Sequence, residues 1–132
     1  MPRSLDSPLT WMEYAKSDLA AARGPAPEGV MLEILCFHAQ QAAEKSIKAV
    51  LVARGVPFPR IHSIERLTDL LPPDIARTAD VLESARLTAY ATVFRYPGMP
   101  DPVSEERYDE AVRLAEAVVS WAEETLRKMS AF

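Results

Sequence analysis

Apolar residues recur along this chain at steps of three and four, and the interruptions in that rhythm fall at proline and glycine. The first stripe is Trp11, Ala15, Leu19 and Ala22, preceded by Thr10 and Glu13 at the spacing of a capping box, so a helix is predicted from about Trp11 to Arg23. Gly24, Pro25, Pro27 and Gly29 then supply the chemistry of a connection. No proline interrupts the segment from Glu28 to Arg54, and Gly55 and Pro57 give it a C-terminal stop. Its stripe Leu32, Cys36, Ala39, Ala43, Ile47 and Val50 has Leu35, Phe37 and Leu51 lying off it, the pattern of a central helix packed on more than one side.

Val56-Pro57-Phe58-Pro59 must be extended, because a residue before proline is pushed out of the helical region. A short helix is predicted from Ser63 to Leu71, capped by Ser63 and ended by Pro72-Pro73. Asp74 is placed to cap a long fourth helix with the stripe Ile75, Ala79, Leu82, Ala89 and Val93, running to Arg95 or Tyr96 before Pro97-Gly98. Ser104, Glu105 and Glu106 open the last helix, whose stripe is Tyr108, Val112, Ala115, Val119, Ala122 and Leu126 and which runs to about Met129. No strand pattern survives. The prediction is an all-α, up-and-down antiparallel bundle of four main helices plus one short helix, a single domain over residues 1–132 with a tail at 1–9.

Composition narrows the function classes more than the fold. With 48% apolar and 26% charged residues the chain resembles ordinary globular proteins and not disordered ones. A net charge of −4 argues against binding nucleic acid chiefly by phosphate neutralisation and confines any such site to a local patch. One cysteine, Cys36, allows neither an intrachain disulfide nor a cysteine-rich zinc site, and two histidines exclude a multi-histidine metal centre. No apolar run approaches a membrane span or a signal peptide, so a cytoplasmic protein without membrane partner, metal or cofactor is expected.

Chemistry concentrates in three places. On the second helix His38, Gln41, Lys45 and Lys48 follow one another at three, four and three, forming one polar stripe opposite the core. It reads either as a solvated face or as a surface for phosphate or an acidic partner. His62, at the entrance to the short helix, reads either as a local packing residue or as a group that titrates near neutral pH. Arg95 and Tyr96 precede the Pro97-Gly98 break, where an arginine either completes the helix dipole or reaches an anionic ligand. Asp18 and Arg86 fall among apolar positions and are expected to pair, because an unpaired buried charge is costly. Leu114 and Trp121, seven apart and off the main stripe of the last helix, suggest apolar area for a homodimer interface.

The run Cys36-Phe37-His38-Ala39-Gln40-Gln41-Ala42-Ala43-Glu44-Lys45, continuing to Lys48, resembles the second helix of the prokaryotic HEPN family. His62-Ser63 is similar to that family's His-centred turn, and Tyr90 with Arg95-Tyr96-Pro97-Gly98 to its signature near the end of the next long helix. With Trp11, Ala15, Asp18 and Leu19, the resemblance extends from about residue 10 to 128. It implies a helical bundle that dimerises and is paired with a minimal nucleotidyltransferase in a toxin-antitoxin-like or nucleotide-handling module. Many relatives are metal-independent ribonucleases in which an arginine stabilises phosphate charge and a histidine a few positions later assists proton transfer. Arg95 matches that arginine, but Met99, Pro100, Asp101 and Pro102 occupy the downstream positions. His38 or His62 would supply the proton-transfer group only if the fold brings one to Arg95. The leading expectation is therefore a nucleotide- or RNA-phosphate-binding module using Arg95, Tyr96, His38, Gln41, Lys45, Lys48 and His62. The alternatives are an endoribonuclease with a composite site across a dimer, and a structural scaffold.

Overall fold

The structure is a computed structural model that describes residues 6–92 and 102–130. Helix α1 spans Pro8–Arg23, α2 Leu32–Ala53, α3 Ile64–Asp69, α4 Ala79–Glu83 and α5 Glu105–Ser130, and a 3-10 helix over Ser84–Thr92 continues α4. No strand occurs among the described residues.

Helix α1 begins earlier than Thr10. Ser7 is extended and precedes a helical Pro8, whose missing N–H costs nothing in a first turn. The Thr10 N–H already donates to Ser7 O at 3.1 Å, so Thr10 lies inside the helix. At the other end Gly24 has φ +72°, and a Cβ there would lie 3.0 Å from the Ala26 nitrogen, which reserves the position for glycine. Helix α2 begins at Leu32 and not at Glu28, because Met31 is extended and Gly29 takes a positive φ. Its buried side chains lie on more than one side, and its many alanines let neighbours approach closely.

Side-chain contacts fix the directions. Trp11 and Lys48 lie together at the start of α1 and the end of α2. Lys16 pairs with Glu123, Arg23 with Glu116, and the Tyr108 hydroxyl donates to Ala22 O at 2.6 Å, so α5 runs antiparallel to α1. Arg113 pairs with Asp80 and Arg86 with Glu110, so the α4 and 3-10 segment runs antiparallel to α5. Helix α2 packs against α1, α3, α5 and the 3-10 helix. It is the spine of one continuous core. The up-and-down bundle is confirmed, with one corner built from a shorter element.

That corner departs from the predicted long fourth helix. Asp74 caps nothing: its carboxylate takes two hydrogen bonds from Arg54, at 2.8 and 3.1 Å. The segment after it is a turn gripped by Arg77, whose guanidinium donates to the carbonyls of Thr68, Leu71, Pro72 and Ile75. The cap is Thr78, whose Oγ1 accepts from the Val81 N–H at 3.2 Å. Val81, Ser84, Leu87 and Tyr90 are the buried residues, while Leu82 and Ala89 of the predicted stripe are exposed. A repeat of three is the repeat of a 3-10 helix, which is what the chain forms. Val93 lies outside the described residues.

One further expectation is revised in part, and two caps stand as predicted. Leu114 is buried in the monomer core and offers no apolar surface, whereas Trp121 is half-buried and donates its indole N–H to Ala76 O at 2.8 Å. Ser63 caps α3 as predicted, accepting from the Arg66 N–H at 3.3 Å. Ser104 caps α5, accepting from the Arg107 N–H at 3.1 Å.

Candidate functional site

The polar stripe of α2 is only partly open to water. Helix α1 and the 55–62 loop partly cover it, and two acids organise it, Glu44 buried and Asp18 half-buried. Asp18 on α1 accepts from Lys45 Nζ at 2.6 Å through Oδ2 and contacts His38 Nδ1 at 3.0 Å through Oδ1. The expected Asp18–Arg86 pair is therefore absent. Asp18 faces α2, and Arg86 reaches α5 to meet Glu110 at 2.7 Å. Lys45 also lies 5.6 Å from the Tyr14 ring centroid.

Next to Lys45 on α2, Glu44 is only 2% exposed. Its Oε1 accepts from Gln40 Nε2 at 2.8 Å and contacts His62 Nδ1 at 2.9 Å, while Oε2 accepts from Lys48 Nζ at 2.9 Å. Gln40 Nε2 also donates to the His62 carbonyl at 3.3 Å, and its Oε1 accepts from Gln41 Nε2 at 2.6 Å. Every member of the network thus has a partner, and no buried side-chain polar atom among the described residues lacks one. The network ties the 55–62 loop to the middle of α2. Lys48, expected on the solvated face, is buried because Trp11 and Phe58 cover it, with ring centroids 5.6 and 5.5 Å from Nζ.

Beside this network a groove of about 870 Å³ opens, lined by Trp11, Lys48, Phe58, Arg60 and His62, with Asp6 on the α1 side. Trp11 and Phe58 meet edge to face, centroids 6.0 Å apart. The residues that the stripe alone did not single out are Asp18 as its partner, Gln40, Glu44, Trp11, Phe58 and Arg60. For Glu44 a signal existed, since Gln40, Glu44 and Lys48 stand at steps of four. The structure brings His38, Gln41, Lys45, Lys48 and His62 onto one side of α2. Arg95 and Tyr96 lie outside the described residues.

On the opposite side of α2, burial pushes the Cys36 thiol up to about 11, partly offset by the nearby Arg107 charge and a hydrogen bond with Tyr90. Such a thiol stays protonated at neutral pH and is a packing group. Among the described residues no cluster of histidine, cysteine and acidic side chains could hold a metal ion, and no helix is long and apolar enough to cross a membrane.

A family model, the HEPN domain, matches residues 9–125. The chain belongs to the HEPN family. Among solved structures it is similar to TT1696 from Thermus thermophilus, at 33% identity and a TM-score of 0.77, over 89% of this chain and 97% of that one. It is also similar to ST0689, an archaeal HEPN homologue, at 30% identity and a TM-score of 0.69, over 89% of this chain and 96% of that one. A comparison with curated proteins returned no match. The HEPN assignment agrees with the bundle, in which the two acid-centred clusters sit on the first two helices and the adjoining loop.

Proposed function

We propose that this HEPN chain is a nucleotide- or RNA-phosphate-binding module that acts as a homodimer beside a minimal nucleotidyltransferase, in a cytoplasmic toxin-antitoxin-like pair. The observation that supports the reading best is the convergence of His38 and Lys45 on one carboxylate, with His62 and Lys48 on a second, along one side of α2. Asp18 and Glu44 hold the cationic and imidazole groups in fixed positions, so an arriving phosphate meets donors already arranged. His38 and Lys45 retain 29% and 21% side-chain exposure, enough for an anion to reach them from solvent. Arg95, Tyr96 and Gln41 complete the proposed set.

Titration with mononucleotides and short RNA at low salt tests the reading. Binding by the wild type is expected, with Arg95→Ala and Lys45→Gln each weakening it about tenfold, the scale for losing one charge-assisted hydrogen bond. If neither ligand binds the wild type, the face is structural and the scaffold reading takes its place. A short neighbouring reading frame with nucleotidyltransferase features is the genomic context this function requires.

Purified protein without a partner is expected to show little or no ribonuclease activity, since the sequence holds no histidine after Arg95 to exchange a proton with the reacting ribose or leaving group. Cleavage of single-stranded RNA that disappears in Arg95→Ala and in His38→Ala or His62→Ala would establish the endoribonuclease instead.

A further inference from the structure

His62 lines the groove with its two ring nitrogens in different situations. Nδ1 lies 2.9 Å from Glu44 Oε1. A carboxylate oxygen only accepts, so Nδ1 carries the proton and the ring is held in one tautomer. Nε2 is then the nitrogen with a lone pair to give, and it has no partner among the described residues. The backbone is fixed as well, because Gln40 Nε2 donates to the His62 carbonyl at 3.3 Å. The imidazole is 49% exposed while the carboxylate behind it is 3% exposed, so a nucleophile faces solvent and its counter-charge is anchored in the core. Glu44 keeps Lys48 Nζ on its other oxygen at 2.9 Å. Arg60, two residues before His62, is exposed and lines the same groove.

We propose that His62 is a phosphoryl-acceptor residue, modified at Nε2 by a donor of the phosphoramidate class, of which a phosphohistidine on another protein is one. Nε2 attacks the phosphorus, a new N–P bond forms, and the donor's own N–P bond breaks with its electron pair leaving on the donor nitrogen. In phosphoramidate itself that nitrogen is already protonated and departs as ammonia, so no further proton has to move. The imidazole ring gains positive charge as the bond forms. Its Nδ1–H stays on Glu44, which stabilises that charge from a position it cannot leave. The Arg60 guanidinium, in the same groove, offers the phosphoryl oxygens two parallel donors. His38 is the natural contrast. Its Nδ1 also contacts a carboxylate, but its side chain is 29% exposed and its ring lies edge-on to Phe37, centroids 5.6 Å apart. The transfer needs no bound nucleotide and so stands apart from the function proposed above. A phosphoryl group brings about two negative charges into a groove that holds Arg60 and Lys48, which gives this face a second charge state.

Incubation of the full chain with phosphoramidate tests this, read by peptide mass spectrometry at alkaline pH and by phosphorus NMR, with N-acetylhistidine treated in parallel. The expected product carries one phosphoryl group, on His62 and at Nε2 alone, because Nδ1 is occupied by Glu44. It should form about tenfold faster than on N-acetylhistidine, the factor for one charge-assisted contact made in the transition state. His62→Gln should remove the label. Arg60→Ala should leave its position unchanged and slow its formation about fivefold. Glu44→Gln, shown by circular dichroism to be folded, keeps an acceptor for Nδ1 without the charge and should lose most of the acceleration. The wild-type rate and the position of the label decide the matter even where that variant does not fold. A wild-type rate no greater than that of N-acetylhistidine, label at Nδ1, or equal labelling of His38 would each overturn the proposal.

Discussion

Replacing Glu44 with alanine is expected to lower the stability of the fold by about 3 to 5 kcal/mol, the scale for leaving a buried charge without its partner. The carboxylate is surrounded by Gln40, Lys48 and His62, and the Lys48 side chain beside it is only 8% exposed. Removing the acid strands an ammonium beneath Trp11 and Phe58 and leaves the Gln40 amide short of an acceptor. Glu44→Gln should recover only part of the loss, because a neutral amide fills the space without balancing the charge. The double replacement Glu44→Leu with Lys48→Met should be far milder than the sum of the two single changes, since it removes both charges and keeps apolar volume. Urea unfolding of these variants, with Glu44→Leu and Lys48→Met also made singly, measures this directly. A loss below about 1 kcal/mol for Glu44→Ala, the scale of an exposed pair, would mean that Lys48 swings out to water and that the network contributes little to the fold.

Arg77→Ala is expected to cost about 1.5 to 3 kcal/mol, the range for hydrogen bonds to a charged group. One guanidinium satisfies the carbonyls of Thr68, Leu71, Pro72 and Ile75, which cluster where α3 ends and the chain turns through Pro72-Pro73. Thr68 O belongs to the last turn of α3 and also accepts the Leu71 N–H, while the oxygens of Leu71, Pro72 and Ile75 lie in the turn that follows. A planar fork of five donors reaches several of them at once, which the point-like ammonium of lysine does not. Arg77→Lys should therefore regain less than half of the loss. Hydrogen exchange offers a second readout, with amides of residues 64–75 losing protection in the alanine variant before those of α2. Equal loss of protection in both regions would show that the arginine supports the whole bundle and not this turn.

Much of the bundle was legible because its signals are local. Gly24 and Pro25 end α1, Ser63 caps α3 and Ser104 caps α5, and each acts within a few residues of itself. The fourth helix was misread for the same reason in reverse. Ile75, Ala79 and Leu82 form a plausible α stripe, but the turn is fixed by Arg77 reaching back to α3, a contact that no local pattern announces. The side-chain period that the core selects there is three, along Val81, Ser84, Leu87 and Tyr90. In the candidate site, spacing correctly gathered His38, Gln41, Lys45 and Lys48 onto one side of α2. It could not say what covers that side. An amphipathic pattern separates polar from apolar positions, and a polar position buried under α1 looks the same as one in water. Asp18 shows the same limit: its place among apolar residues revealed that it needed a partner, and only the packing of α1 on α2 made that partner Lys45 and His38 rather than Arg86.

The 3-10 helix also restricts how this chain can change in length. At three residues per turn, an insertion of one residue within Ser84–Thr92 rotates everything after it by a third of a turn, which moves Leu87 or Tyr90 off the core and brings an exposed neighbour onto it. Only a gain or loss of three residues keeps the face. The connection between α1 and α2 has no such face to keep, and lengthening it adds only the slowly growing entropy of a longer loop. Length variation that leaves the fold intact is thus free between Arg23 and Leu32 and quantised in threes between Ser84 and Thr92.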